Sequence, residues 1–180
     1  MGPLGLAQQP DLLRYADPMI GTQRMGHVYP GATAPFGMVQ VGPDTDTLPY
    51  AVNGTYDPAV YRTCSGYQYD DSTIVGFSHA HFSGTGHSDL GDVLLMPATG
   101  PLQLDPGTAD APERGFRSVY HHRHEHAAPG YYGVQLEDDH IRAELNATPR
   151  VGLHRYTFPR VDSAHVVLDL VHSIYGNADK

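Results

Sequence analysis

The stretch YYGVQLEDDHIRAELNATPRVGLHRYTFP, residues 131–159, reads as a β-meander. Tyr132, Val134 and Leu136 alternate with small or polar residues, and Ile141, Ala143, Leu145 and Ala147 repeat the pattern. Val151 and Leu153 carry the alternation into a third strand. Successive side chains of a strand point to opposite faces, so a period of two predicts strands with one buried side. Turns are expected at residues 137–140, 149–150 and 159–163. A last apolar run, residues 165–171, is expected to form another central strand. Several short strands with regular turn signals predict an all-β domain, a sandwich or a barrel.

The second informative stretch is GFSHAHFSGTGHSDLGDVLLMP, residues 76–97. Alternation from Ile74 to Phe82 places Phe77, His79 and His81 on one strand face and Ser78, Ala80 and Phe82 on the other. Val93 to Met96 is fully apolar and reads as a strand buried on both faces, with Pro97 ending its ladder pairing. Between the runs lies a turn with Gly84 and Gly86, whose missing side chains permit positive φ and close approach. Three histidines and two aspartates, Asp89 and Asp92, gathered at a turn between buried strands mark a site. The same histidine types also occur as partly buried residues with satisfied rings.

Composition limits the possibilities. A chain of 180 residues with 40% hydrophobic and 17% charged residues is one globular domain able to bury a core. Twenty glycines and fifteen prolines interrupt every long stretch and disfavour helices. A net charge of −9 argues against a nucleic-acid partner. The single Cys64 excludes an internal disulfide and a multi-cysteine zinc site. No apolar run reaches membrane-spanning length, so no membrane partner is expected. Residues 1–14 are read as a disordered leader or cloning remnant without a complete signal peptide, and residues 15–180 as the folded domain.

Two irregular connections punctuate that domain. Residues 42–63 lose periodicity among Pro43, Pro49, Asn53-Gly54 and Pro58, and their tyrosines Tyr50, Tyr56 and Tyr61 favour an ordered binding loop. Residues 99–117 are also rich in proline and glycine. The cluster His121, His122, His124 and His126 reads as an exposed loop with opportunistic affinity for transition metals. His79 and His81, with an aspartate or His87, have the residue types of a two-histidine, one-carboxylate metal site, so a cupin-like metal enzyme is one reading. A free-standing carbohydrate-binding or interaction module is another.

Six segments, in order, resemble the N-terminal domain of glycoside hydrolase family 92, the calcium-dependent exo-α-mannosidases. They are DPMIGT (17–22), GHVYPGATAPFGMVQVGPDT (26–45), CSGYQYDDSTIVGFSHAHFSGTGHSDLGDVLLMP (64–97), APGYYGVQL (128–136), RAELNATPRVGLHRYTFP (142–159) and VVLDL (166–170). The resemblance implies an antiparallel β-sandwich of the galactose-mutarotase-like supersandwich type, incomplete at its C-terminal end, which packs on a helical (α/α) toroid. It implies an inverting exo-α-mannosidase of α-1,2 type in which acid, base and calcium ligands lie on the helical domain. No catalytic residue and no metal are then expected in this chain, which would be inactive by itself. Asp70, Asp71, Asp89 and Asp92 are the carboxylates near the expected pocket. The same resemblance implies a mannose-binding wall formed by His27, Tyr61, Ser65, Gly66, His79, His81, Thr85, His87 and Asp89. The partners it implies are α-mannosides of N-glycans or mannans and the helical domain, in the periplasm or outside the cell. Two positions depart from the family pattern: Tyr61 stands where a tryptophan is common, and His87 where a cysteine is usual.

Overall fold

The computed structural model describes residues 12–46, 51–84, 86–87 and 90–174, with the side chains of residues 51 and 52 left out. Its strands are β1 (Ala32–Thr33), β2 (Gln40–Asp44), β3 (Ala51–Val52), β4 (Thr55–Tyr56), β5 (Thr73–Ile74), β6 (Gly76–Ser78) and β7 (Leu94–Ala98). They continue with β8 (Ser118–Val119), β9 (Glu125–Ala128), β10 (Tyr131–Leu136), β11 (Ile141–Ala147), β12 (Gly152–Thr157) and β13 (His165–Asp169). A five-stranded sheet runs β1-β2-β6-β7-β13, and a four-stranded sheet runs β12-β11-β10-β9. The pairings are antiparallel. The all-β sandwich expected from the sequence is the architecture observed.

The meander forms because its apolar positions are in register. Tyr132 faces Leu145, Val134 faces Ala143 and Leu136 faces Ile141 across the β10–β11 ladder. All six side chains are buried. From the other sheet Val41, Phe77, Leu94, Met96 and Val167 close the core. The ring of Phe77 reaches Tyr132 and Tyr156, with centroids 6.4 Å and 6.2 Å apart. Apolar area removed from water between the two inner faces is the main stabilising term.

Four local expectations are corrected. Val151 and Leu153 lie on the outer face, because β12 pairs Leu153 with Asn146 and His154 with Leu145. The side chains that β12 turns inward are thus His154 and Tyr156. The strand carrying the histidines ends at Ser78, so His79 and His81 do not share a strand face. Val93 precedes β7, is exposed, and adopts φ 59°, an unusual conformation for a β-branched residue. The β7 strand continues through Pro97, which faces Val166 of β13, past the single register pair Phe77–Leu95 that joins β7 to β6. Finally, β13 lies at the edge of the described sheet rather than in its centre, with Val166 and Leu168 exposed and Val167 buried.

The irregular loop after β2 is ordered where it is described. Asn53 and Gly54, both with positive φ, form the turn of the β3–β4 hairpin. The Asp57 carboxylate then accepts the Ala59 N–H at 2.9 Å and caps a 3₁₀ turn over Pro58–Thr63. That turn presents Tyr61.

Candidate functional site

Two of the candidate residues, His27 and Tyr61, form a corner. Their rings meet edge to face with centroids 4.5 Å apart. Tyr61 is 41% exposed, whereas His27 is 6% exposed and its Nε2 has no hydrogen-bond partner. His27 holds φ 52°, and its carbonyl accepts the Gly84 N–H at 2.5 Å. The glycine turn is therefore fastened to this corner. At Gly86, φ is 64°, a conformation that favours glycine, and an added Cβ would lie 2.5 Å from the Tyr61 hydroxyl. Ser65, buried beneath, donates to the carbonyls of Tyr67 at 3.2 Å and Val28 at 3.4 Å. His87 is exposed beside the turn. Thr85 and Asp89 lie outside the described residues.

A buried polar cluster is centred on Asp44, which lies in the 26–45 segment but was not among the expected site residues. Its Oδ1 lies 2.8 Å from His81 Nε2 and its Oδ2 lies 3.0 Å from His172 Nε2. His81 is 1% exposed. Its Nδ1 donates to the Gln40 carbonyl at 2.8 Å, its Nε2 also contacts Ser78 Oγ at 3.1 Å, and its ring stacks on Tyr29. Burial by itself would raise the Asp44 pKa, but the adjacent His81 and His172 more than offset this and bring it to about 2. Gly66, at φ 83°, leaves the room this carboxylate occupies: an added Cβ would lie 2.3 Å from Asp44 Oδ1. His81 and Gly66 thus both meet the Asp44 carboxylate. The cluster joins β2, the segment after β6 and the segment after β13, residues far apart in sequence.

His79 goes elsewhere. Its ring stacks on that of His154 on β12, with the two Nε2 atoms 3.1 Å apart. Burial first, and then the neighbouring His79, push His154 down to about 4. The rings of His79 and His81 part, so these two do not come together in the way that the metal-enzyme reading of the sequence required. Among the described residues no group of three or more His, Cys, Asp or Glu is arranged to hold a metal.

In the histidine-rich segment His121, His124 and His126 are exposed, as expected, whereas His122 turns toward a buried carboxylate. Glu125, a buried carboxylate, accepts Tyr67 at 3.0 Å, Tyr132 at 2.7 Å and His122 Nδ1 at 2.6 Å. Burial, followed by the nearby Glu125, holds the Tyr132 hydroxyl well above its ordinary pKa and keeps it a donor. His122 stacks on Tyr69 at 3.8 Å between ring centroids. Asp70 and Asp71 are also engaged. Asp70 accepts Gln23 at 2.6 Å, and Asp71 accepts Thr45 at 2.8 Å and Arg62 at 3.0 Å.

Residues 15–180 match the Glycosyl hydrolase family 92 N-terminal domain, and the chain belongs to this family. It is 32% identical over 151 residues, 83% of the chain, to a secreted glycosidase of Arthroderma benhamiae (strain ATCC MYA-4681 / CBS 112371), of which those residues cover 18%. It is similar to the structure of a family GH92 α-mannosidase from Bacteroides thetaiotaomicron in complex with mannoimidazole. There the TM-score is 0.84 and the identity 42%, over 92% of this chain and 20% of that one. A family GH92 inverting mannosidase from Bacteroides thetaiotaomicron VPI-5482 shares the fold, with TM-score 0.66 and 24% identity over 91% of this chain and 20% of that one. The chain spans about a fifth of the length of these relatives.

Proposed function

We propose that this domain supplies one wall of an α-mannoside-binding cleft in a secreted glycosidase whose acid, base and calcium are held outside these residues. The observation that carries the reading is the His27–Tyr61 corner, in a chain 42% identical to the mannosidase captured with mannoimidazole. A pyranose presents an apolar face, which the exposed Tyr61 ring suits, with the buried His27 ring packed edge to face behind it. His87, which is exposed at the same turn, is a further member of the proposed wall. Thr85 and Asp89 complete the proposed wall.

The donor set favours locating the chemistry elsewhere. Inversion needs two carboxyl groups roughly 6.5–9.5 Å apart, facing one another across the sugar with room for water. Asp44, Asp70, Asp71 and Glu125 each have neighbouring donors to satisfy and sit in structural networks. Calcium takes six to eight oxygen ligands, and this reading assigns them to the helical partner. The exposed row Val166, Leu168, Leu170 and Val171 on and after β13 is the surface this reading assigns to the helical partner.

Two measurements test the proposal. Mannose release from a panel of α-linked mannobioses by this chain, with calcium and with a chelator, is expected to be nil in both conditions. Calorimetric titration with methyl α-mannoside is expected to show weak binding that Tyr61→Ala weakens at least tenfold without loss of fold. Calcium-dependent release, or binding unchanged in Tyr61→Ala, overturns the assignment.

A further inference from the structure

The His79–His154 pair has the geometry of a chelate. The two Nε2 atoms are 3.1 Å apart while the ring centroids are 4.7 Å apart with planes inclined at 29°. An in-line N–H···N bond would carry the ring centres further apart, because each ring would lie behind its nitrogen along the joining line. Here the rings fold toward each other and the nitrogen axes leave that line. An ion at ~2.1 Å from each nitrogen, the ordinary zinc–imidazole distance, places two ligands about 3.0–3.4 Å apart for ligand angles between roughly square and tetrahedral.

The outer nitrogens are fixed in the way metal-binding histidines usually are, by oxygen partners that set tautomer and ring orientation. His79 Nδ1 donates to the Val93 carbonyl at 2.7 Å, and His154 Nδ1 lies 2.7 Å from the Tyr156 hydroxyl. With protons on both Nδ1 atoms, the two Nε2 lone pairs face one another and want a shared cation. Val93 holds its left-handed backbone, φ 59°, at the point where its carbonyl meets His79. Gly152 leaves the ring its space: an added Cβ would lie 2.9 Å from His79 Cδ2.

We propose that His79 and His154 chelate one borderline divalent transition ion, such as Zn²⁺ or Cu²⁺, through their Nε2 atoms. Imidazole nitrogen suits these ions and does not suit calcium. Two protein ligands leave the remaining positions to water or another small donor. The ion staples β12 of one sheet to the segment between β6 and β7 of the other, and so fastens the arm that carries the glycine turn. An ion that binds the folded chain and not the unfolded one raises its stability.

The test uses zinc itself, in a background carrying His121→Gln, His124→Gln and His126→Gln to remove adventitious surface binding. Thermal unfolding of this chain is expected to shift upward with zinc and to saturate at one ion per chain. The shift is read for each protein against its own zinc-free state, so a stability change from the substitution itself does not confuse it. His79→Gln and His154→Gln are each expected to abolish the shift. An equal shift in either variant, or none in the background protein, overturns the proposal. As a second readout, one equivalent of Cu²⁺ should give electron paramagnetic resonance coupling from two nitrogens, and coupling from one or none overturns it as well.

Discussion

The meander over β10–β12 and the arm between β6 and β7 pack against the same core by opposite means. In the meander, paired apolar side chains such as Tyr132 and Leu145 face the core in an unbroken register. In the arm, regular pairing stops at Ser78 and the chain is held by histidines: His81 on Asp44, and His79 on His154. Backbone conformations follow suit. Leu90 and Val93 take positive φ in the arm, whereas the meander strands keep ordinary extended backbone and confine positive φ to turn residues such as His140. Non-directional apolar burial tolerates local change, whereas a buried polar network specifies one geometry and leaves charges uncompensated when a member is lost. The arm that carries the candidate site is thus the more specified and the more fragile.

The comparison breaks most sharply at Asp44. Asp44→Ala is expected to cost about 3–5 kcal/mol, because His81 and His172 are left buried without their carboxylate. Urea denaturation measures it, and a loss below about 1 kcal/mol would show the arm to be held by packing, like the meander.

Acid sharpens the same contrast. The Asp44 carboxylate titrates at about 2 in the folded chain against an ordinary 3.8, so its contribution is complete above about pH 3.8. It is lost as pH falls through about 2, and amounts to about 2 kcal/mol. Unfolding free energies of the parent chain and Asp44→Ala are expected to converge over that window. Parallel pH profiles would remove Asp44 as the acid-sensitive group.

The smallest effect is expected on the outer face of the meander. Leu153→Ser should change stability by no more than about 0.5 kcal/mol, since Leu153 faces solvent opposite Asn146. A thermal scan suffices, and a cost above about 2 kcal/mol would place Leu153 in an apolar contact.

Recognising the domain required little more than the sequence. Period-two alternation, the turn residues and the ordered motifs pointed to a β-sandwich of this family, because each signal is local and survives being read one residue at a time. His27 and the glycine turn were also legible, since their motifs lie in that ordered set, and Tyr61 stood out just before it as the position where the family commonly has a tryptophan. Their mutual contact was not: the 4.5 Å meeting of His27 with Tyr61 joins residues 34 positions apart by number.

What the sequence determined by itself was the class of fold, the turns of the meander and the residue types gathered at the arm. Only the tertiary structure decided which histidine does what. Alternation placed His79 and His81 side by side, yet the strand ends before them and their rings part, one to Asp44 and His172 and the other to His154. Leu153 and His154 exchanged their expected faces for a similar reason, since the β11–β12 register and not hydrophobicity sets which side of β12 turns inward. A buried polar group is stable only beside partners that satisfy it, and those partners arrive from distant strands that no local pattern can name.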